Sequence, residues 1–93
     1  MTYNLEFLDV ALKEWRKLSP ALREQFKKKL AERLENPHVP AARLSGKLHR
    51  YKIKLRSAGY RLVYQVEDEQ VVVLVIAVGR RDGDEVYHQA NRR

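Results

Sequence analysis

The segment Tyr51-Lys52-Ile53-Lys54-Leu55-Arg56-Ser57-Ala58-Gly59-Tyr60-Arg61-Leu62-Val63-Tyr64-Gln65-Val66 sets the fold. Tyr51, Ile53 and Leu55 alternate with Lys52, Lys54 and Arg56, a period of two that belongs to a half-buried strand. Ser57-Ala58-Gly59 is a turn signal, and Tyr60 to Val66 reads as the returning strand. The apolar members must face a covering layer, so Lys52, Lys54 and Arg56 face the other way.

Working outward, Glu67-Asp68-Glu69-Gln70 is a polar turn, and Val71 to Val78 is a continuous apolar, β-branched run. Such a run suits a central strand covered on both faces. Gly79 is read as its end, and Asp84 as the cap of a short terminal helix carrying Val86 and Tyr87. Asn91-Arg92-Arg93 is expected to fray.

Toward the N-terminus, Val39 to Lys47 reads as a loop. Before it, Leu22, Phe26, Leu30 and Leu34 recur at i+4 steps behind Ser19-Pro20, a serine cap followed by a proline in the first turn. Leu8, Ala11, Leu12, Trp15 and Leu18 form an earlier helical stripe, and Thr2 to Phe7 alternates as a short strand. The expectation is an α+β fold of one domain, residues 1–93. It has an N-terminal strand, an antiparallel two-helix hairpin on one side of a mostly antiparallel four-stranded sheet, and a short C-terminal helix.

The chain carries 19 Lys and Arg against 12 Asp and Glu, a net charge of +7, which favours a polyanionic partner. The charge is segregated: Arg43, Lys47, Arg50, Lys52, Lys54, Arg56 and Arg61 run without an intervening acid. With no cysteine, disulfides and thiolate metal sites are excluded. His38, His49 and His88 are scattered, none in a ligand spacing, so neither a metal nor another cofactor is expected. No stretch reaches the ~20 apolar residues of a membrane span. The first residues have no signal-peptide pattern, so no membrane association and a cytoplasmic location are expected.

A solvated strand face would also carry Lys52, Lys54 and Arg56. Two neighbours point further. Arg61 directly follows the turn, and Arg80-Arg81 stands at the end of the apolar strand. A concave sheet face holding Lys52, Lys54, Arg61 and Arg81 would bind phosphate, since Arg clamps two oxygens and Lys acts as a point charge. Lys27-Lys28-Lys29, with Lys13, Arg16, Lys17 and Arg23, make a second basic zone on the helices, readable either as solvated faces or as contacts to RNA.

The ordered set K-x-K at Lys52–Lys54, G-Y-R-L-V-Y at Gly59–Tyr64, V-G-R-R at Val78–Arg81 and E-V-Y at Glu85–Tyr87 resembles the RelE toxins, along nearly the whole chain. The resemblance implies a metal-independent endoribonuclease that cleaves mRNA in the A site of the 70S ribosome. In that reaction a 2′-hydroxyl attacks the adjacent phosphate. It also implies catalytic roles for Lys52, Lys54, Arg61, Arg81 and Tyr87. Lys52 and Arg61 are assigned to the phosphate and Lys54 is the candidate base, with Lys52 the alternative. Arg81 faces the leaving oxygen, and Tyr87 stacks on a base or orients the 2′-hydroxyl. Arg43, Lys47 and Arg56, with the helix lysines, become candidate contacts to RNA and to 16S ribosomal RNA. The implied partner is an acidic, RelB-like antitoxin that can displace the tail helix. Two other readings stay open: a ParE-type toxin of the same fold acting on gyrase, and a non-catalytic RNA-binding domain.

Overall fold

A computed structural model describes residues 2–46 and 49–93. Lys47 therefore lies outside the described residues. The elements run β1 (Asn4–Phe7), α1 (Asp9–Arg16), α2 (Pro20–Glu35), β2 (Arg50–Leu55), β3 (Tyr60–Glu67), β4 (Val72–Arg80) and α3 (Glu85–Arg92), with single 3-10 turns at Pro40–Ala42 and Asp82–Asp84. The sheet order is β1-β4-β3-β2. β1 runs parallel to β4, while β2–β3 and β3–β4 are antiparallel. The fold is α+β, as expected.

Sequence rules explain the elements. Ser19 Oγ accepts from Leu22 N–H at 3.3 Å and Pro20 opens α2, so an orphan amide of the first turn is satisfied. Gly59, at φ +71°, turns the β2–β3 hairpin in a left-handed conformation that L side chains resist. Tyr51, Ile53 and Leu55 are buried with Leu62, Tyr64, Val66, Val73, Val75, Phe26 and Leu30 in the main core, under α1 and α2.

The opposite sheet face has its own small core of Val63, Ile76, Ala77, Val86 and Ala90. Here α3, to which the sequence assigns no side, covers β3 and β4 from the face opposite α1 and α2. That second cover explains why β4 is apolar at every position from Val72 to Val78. A register shift between Val63 and Tyr64 pairs Val63 with Ala77 but Tyr64 with Val75, leaving Ile76 as an extra residue in β4. The bulge reverses the alternation, so Val78 joins the main core and Gly79 lies beside Arg61.

Other expectations need correction. β1 starts at Asn4 and β4 continues to Arg80. Asp84 sits at the α3 N-cap with φ +57°, but its side chain makes no capping bond. The terminal residues do not fray. Arg93 donates to Glu14 Oε1 at 2.7 Å, to Glu14 Oε2 at 3.2 Å and to the Ile76 carbonyl at 2.9 Å. Glu14 Oε1 also accepts from Val78 N–H at 3.1 Å. One carboxylate thus ties α1, β4 and the end of the chain together.

Candidate active site

β2 and β3 are in register with Lys52 opposite Val63 and Lys54 opposite Arg61. On the face away from α1 and α2, this pairing sets the Lys54 and Arg61 side chains next to each other. The β3–β4 pairing places Arg61 opposite Gly79, so no side chain from β4 occupies the space beside the guanidinium. Arg81 N–H donates to the Gly59 carbonyl at 2.8 Å, which pins the chain after β4 against the hairpin turn. α3 then brings Tyr87 over the same face.

The outcome is an open cleft of ≈ 610 Å³. Lys52, Lys54, Arg61, Arg81 and Tyr87 all line it, with Arg56 beside them. Leu44, Ser45 and Asn91 complete the wall, none of them anticipated. Ser45 and Asn91 give no sequence signal, because their place depends on how the loop before β2 and α3 meet. Arg80 turns away, over the Tyr60 ring at 5.7 Å and paired to Asp82 at 3.0 Å. Adjacent arginines at a strand end therefore have opposite destinations.

Arg50 shares the face of Lys52 and Lys54 but has a different task. It is buried, donating to Gln65 Oε1 at 2.8 Å and to the Ala90 carbonyl at 2.7 Å. It holds the C-terminal end of α3, and through α3 the position of Tyr87.

The electrostatics are one-sided. Among the described residues, no ion pair involves Lys52, Lys54, Arg56, Arg61 or Arg81. Arg61 is only 6% exposed, and the acceptor found for it is the Tyr60 carbonyl, at 2.9 Å. A buried guanidinium without a counter-ion is costly unless an anion arrives. Lys54 is held below the usual lysine range, mostly by the charge of Lys52, with desolvation and the charges of Arg56, Arg61 and Arg81 adding to it.

The basic tract continues around the free edge of β2. A groove of ≈ 260 Å³ shares Lys52, Lys54 and Arg56 with the cleft and adds Lys29 and Arg33 from α2. Arg33 also donates to the Lys52 carbonyl at 3.2 Å and to Tyr64 Oη at 2.9 Å. Of the expected nucleic-acid contacts among the described residues, only Arg56 lies in the cleft. Arg43 is exposed on an isolated bridge to Tyr51, beside the wall but not in it. Lys13, Lys17, Lys27 and Lys28 are exposed on the helices and line neither cavity; Lys27 pairs with Glu24 at 3.6 Å. Their distance follows from amphipathicity: the helix stripes bury Ala11, Phe26 and Leu30, so lysines point outward.

Known proteins share this fold along the length of the chain. The chain is 60% identical to the mRNA interferase toxin RelE of Escherichia coli K12 over 93 residues, covering 100% of this chain and 98% of that protein. It is 52% identical to a putative RelE-like toxin protein of E. coli over the same length. A double arginine-to-alanine variant of E. coli RelE in the free state superposes with a TM-score of 0.92 at 59% identity, covering 100% of this chain and 98% of that one. RelE in the intact E. coli RelBE toxin–antitoxin complex superposes at 0.82 with 63% identity, covering 84% of this chain and 95% of that one. Residues 5–85 match the family described as ParE toxin of type II toxin–antitoxin systems, and the chain belongs to this RelE/ParE toxin family.

Proposed function

We propose that the chain is an mRNA interferase: an endoribonuclease toxin of the cytoplasm that cuts messenger RNA in the ribosomal A site, with residues 1–93 as one toxin domain. The observation that carries the reading is the convergence of Lys52, Lys54, Arg61, Arg81 and Tyr87 on one cleft, around a buried arginine that lacks a counter-ion. The identity to E. coli RelE over the full length supports it.

The chemistry follows from the side chains. Neutral Lys54 takes the proton of a 2′-hydroxyl, whose oxygen bonds to the adjacent phosphorus. The P–O5′ bond then breaks, giving a 2′,3′-cyclic phosphate and a 5′-oxygen that takes its proton from solvent. Arg61 and Lys52 stabilise charge growing on the non-bridging oxygens, and Arg81 stabilises the leaving oxygen. Tyr87 stacks on or orients the substrate. The residues found lining the cleft include no carboxylate, imidazole or thiol; Lys54, whose pKa is lowered, is the amine suited to take the proton, and the Tyr87 phenol is the other proton-transfer group in the wall.

Substrate alignment falls to the ribosome, with Arg56 and the Lys29–Arg33 groove contacting mRNA or 16S ribosomal RNA. An acidic antitoxin of the RelB kind would neutralise the tract. RelE has been solved both with RelB and with a RelBc peptide, and a partner displacing α3 would withdraw Tyr87. The family description also covers ParE, and gyrase remains the rival target. The full cationic set around a single cleft favours RNA.

Primer extension on a translated message tests the assignment. Cuts confined to the codon in the A site are expected. Uncut message together with loss of gyrase supercoiling would transfer the chain to the rival reading.

The role of Lys54 has a separate signature. A base must be neutral, so the single-turnover rate should rise with pH until Lys54 is deprotonated. Lys52 is the largest cause of the lowered Lys54 pKa. Lys52→Ala should therefore raise that pKa and move the rising limb to higher pH, besides slowing the reaction. A limb that stays in place would assign the base elsewhere.

A further inference from the structure

At the end of β3 opposite Arg61, three side chains from separate segments meet: His38 after α2, His49 before β2 and Asp68 after β3. One ligand atom from each lies within 4.8 Å of the others. The histidines that spacing alone leaves scattered are thus neighbours, with their rings edge-on at 6.3 Å. None of the three lines the cationic cleft.

The surroundings are those of a metal site. His38 Nε2 lies 2.8 Å from Asp68 Oδ1, while its other nitrogen, Nδ1, is 2.9 Å from Tyr51 Oη. Tyr51 is buried and stacked on Tyr64 at 5.5 Å, which fixes that hydroxyl. Tyr3 Oη donates to Asp68 Oδ1 at 2.7 Å. Both His38 and Asp68 therefore have the outer hydrogen bonds that orient metal ligands. His49 stands at φ +64°, a left-handed conformation uncommon outside glycine but one that histidine and asparagine adopt more readily than most, and its carbonyl accepts from Val66 N–H at 2.8 Å.

We propose that His38, His49 and Asp68 bind a transition-metal ion, with Zn²⁺ the fitting case. Two imidazoles and a carboxylate are a three-ligand zinc set, and the exposed side of the cluster leaves the fourth position to water. Bonds of about 2.0–2.1 Å place tetrahedral ligand atoms about 3.4 Å apart, so His49 moves inward by roughly 1 Å while the His38–Asp68 pair, hydrogen-bonded at 2.8 Å, opens slightly and gives up its shared proton. Nitrogen donors select against Mg²⁺ and Ca²⁺. The ion would join both ends of the connection between α2 and β2, the connection that supplies Leu44 and Ser45 to the cleft wall. Its work is structural, and the proposal is independent of the nuclease reading.

Calorimetric titration of tag-free protein with ZnCl₂ tests it. One equivalent should bind, and His49→Asn should weaken binding by more than about tenfold, the range in which even outer-shell losses begin. Asparagine tolerates the left-handed backbone, so this variant keeps its fold. Asp68→Asn, in the exposed turn, should weaken binding likewise. His88→Ala, on α3, should bind like the parent. Absence of binding by the parent, or parental affinity in His49→Asn and Asp68→Asn, would overturn the site.

Discussion

Arg61→Ala is expected to lower the single-turnover rate of mRNA cleavage by about 10²–10³, the loss typical of removing one preorganised donor from developing charge. The position explains the size. Arg61 is 6% exposed and stands in register with Lys54, so its charge acts through a poorly hydrated path on whatever anion enters. Arg61→Lys should recover only part of the rate, because an ammonium cannot present two parallel donors to phosphate. Stability should move differently. In the free protein the guanidinium is a buried cation among cations, so its removal should leave the thermal midpoint unchanged or raise it. A loss of rate with retained or increased stability is the pattern of a group kept for function at some cost to the fold. Undiminished cleavage by Arg61→Ala would refute the phosphate role, and a collapse in stability would make Arg61 a packing residue.

What could be read from the chain, and what could not, divides along the range of the physics involved. The β2–β3 hairpin was legible because alternation and Gly59 are local, and they place Lys54 and Arg61 side by side without reference to the rest of the molecule. The α2 start was legible for the same reason, since Ser19 caps three residues away. The burial of Arg61 was not, because it depends on what covers the second sheet face. The β4 bulge was hidden by composition: Val72 to Val78 is apolar at every position, so a shift of phase leaves no trace in the pattern. Arg93 seemed a loose end because its partner, Glu14, lies 79 residues away. His38, His49 and Asp68 escaped notice for a similar reason, since ligand spacing rules see one helix or one loop and not three segments. In the run Lys27-Lys28-Lys29, Lys29 lines the basic groove while Lys27 and Lys28 are exposed on α2 outside it, a division that depends on packing and that the local run does not reveal.

Phe26→Ala is expected to destabilise the fold by about 3–5 kcal/mol, the cost of truncating a buried aromatic ring and leaving a partly collapsed cavity. Phe26 is fully buried in α2, and its ring lies 6.2 Å from that of Trp15 in α1, which in turn meets Phe7 of β1 at 5.4 Å. The three rings join both helices to the first strand, so the cavity would open where three elements converge. Domains of this size have roughly 5–15 kcal/mol of stability in all, with small ones toward the low end. The variant should therefore populate the unfolded state measurably and lose activity through that population, not through the site. Trp15 is the only tryptophan, so its fluorescence reports the transition directly. The urea midpoint should fall with little change in slope, because a single truncation barely alters the surface exposed on unfolding. Val10→Ala is the matched comparison: Val10 is 45% exposed on α1, and its truncation should stay within about 0.5 kcal/mol. Equal midpoints for the two variants would mean that the ring cluster does not hold the helices to the sheet.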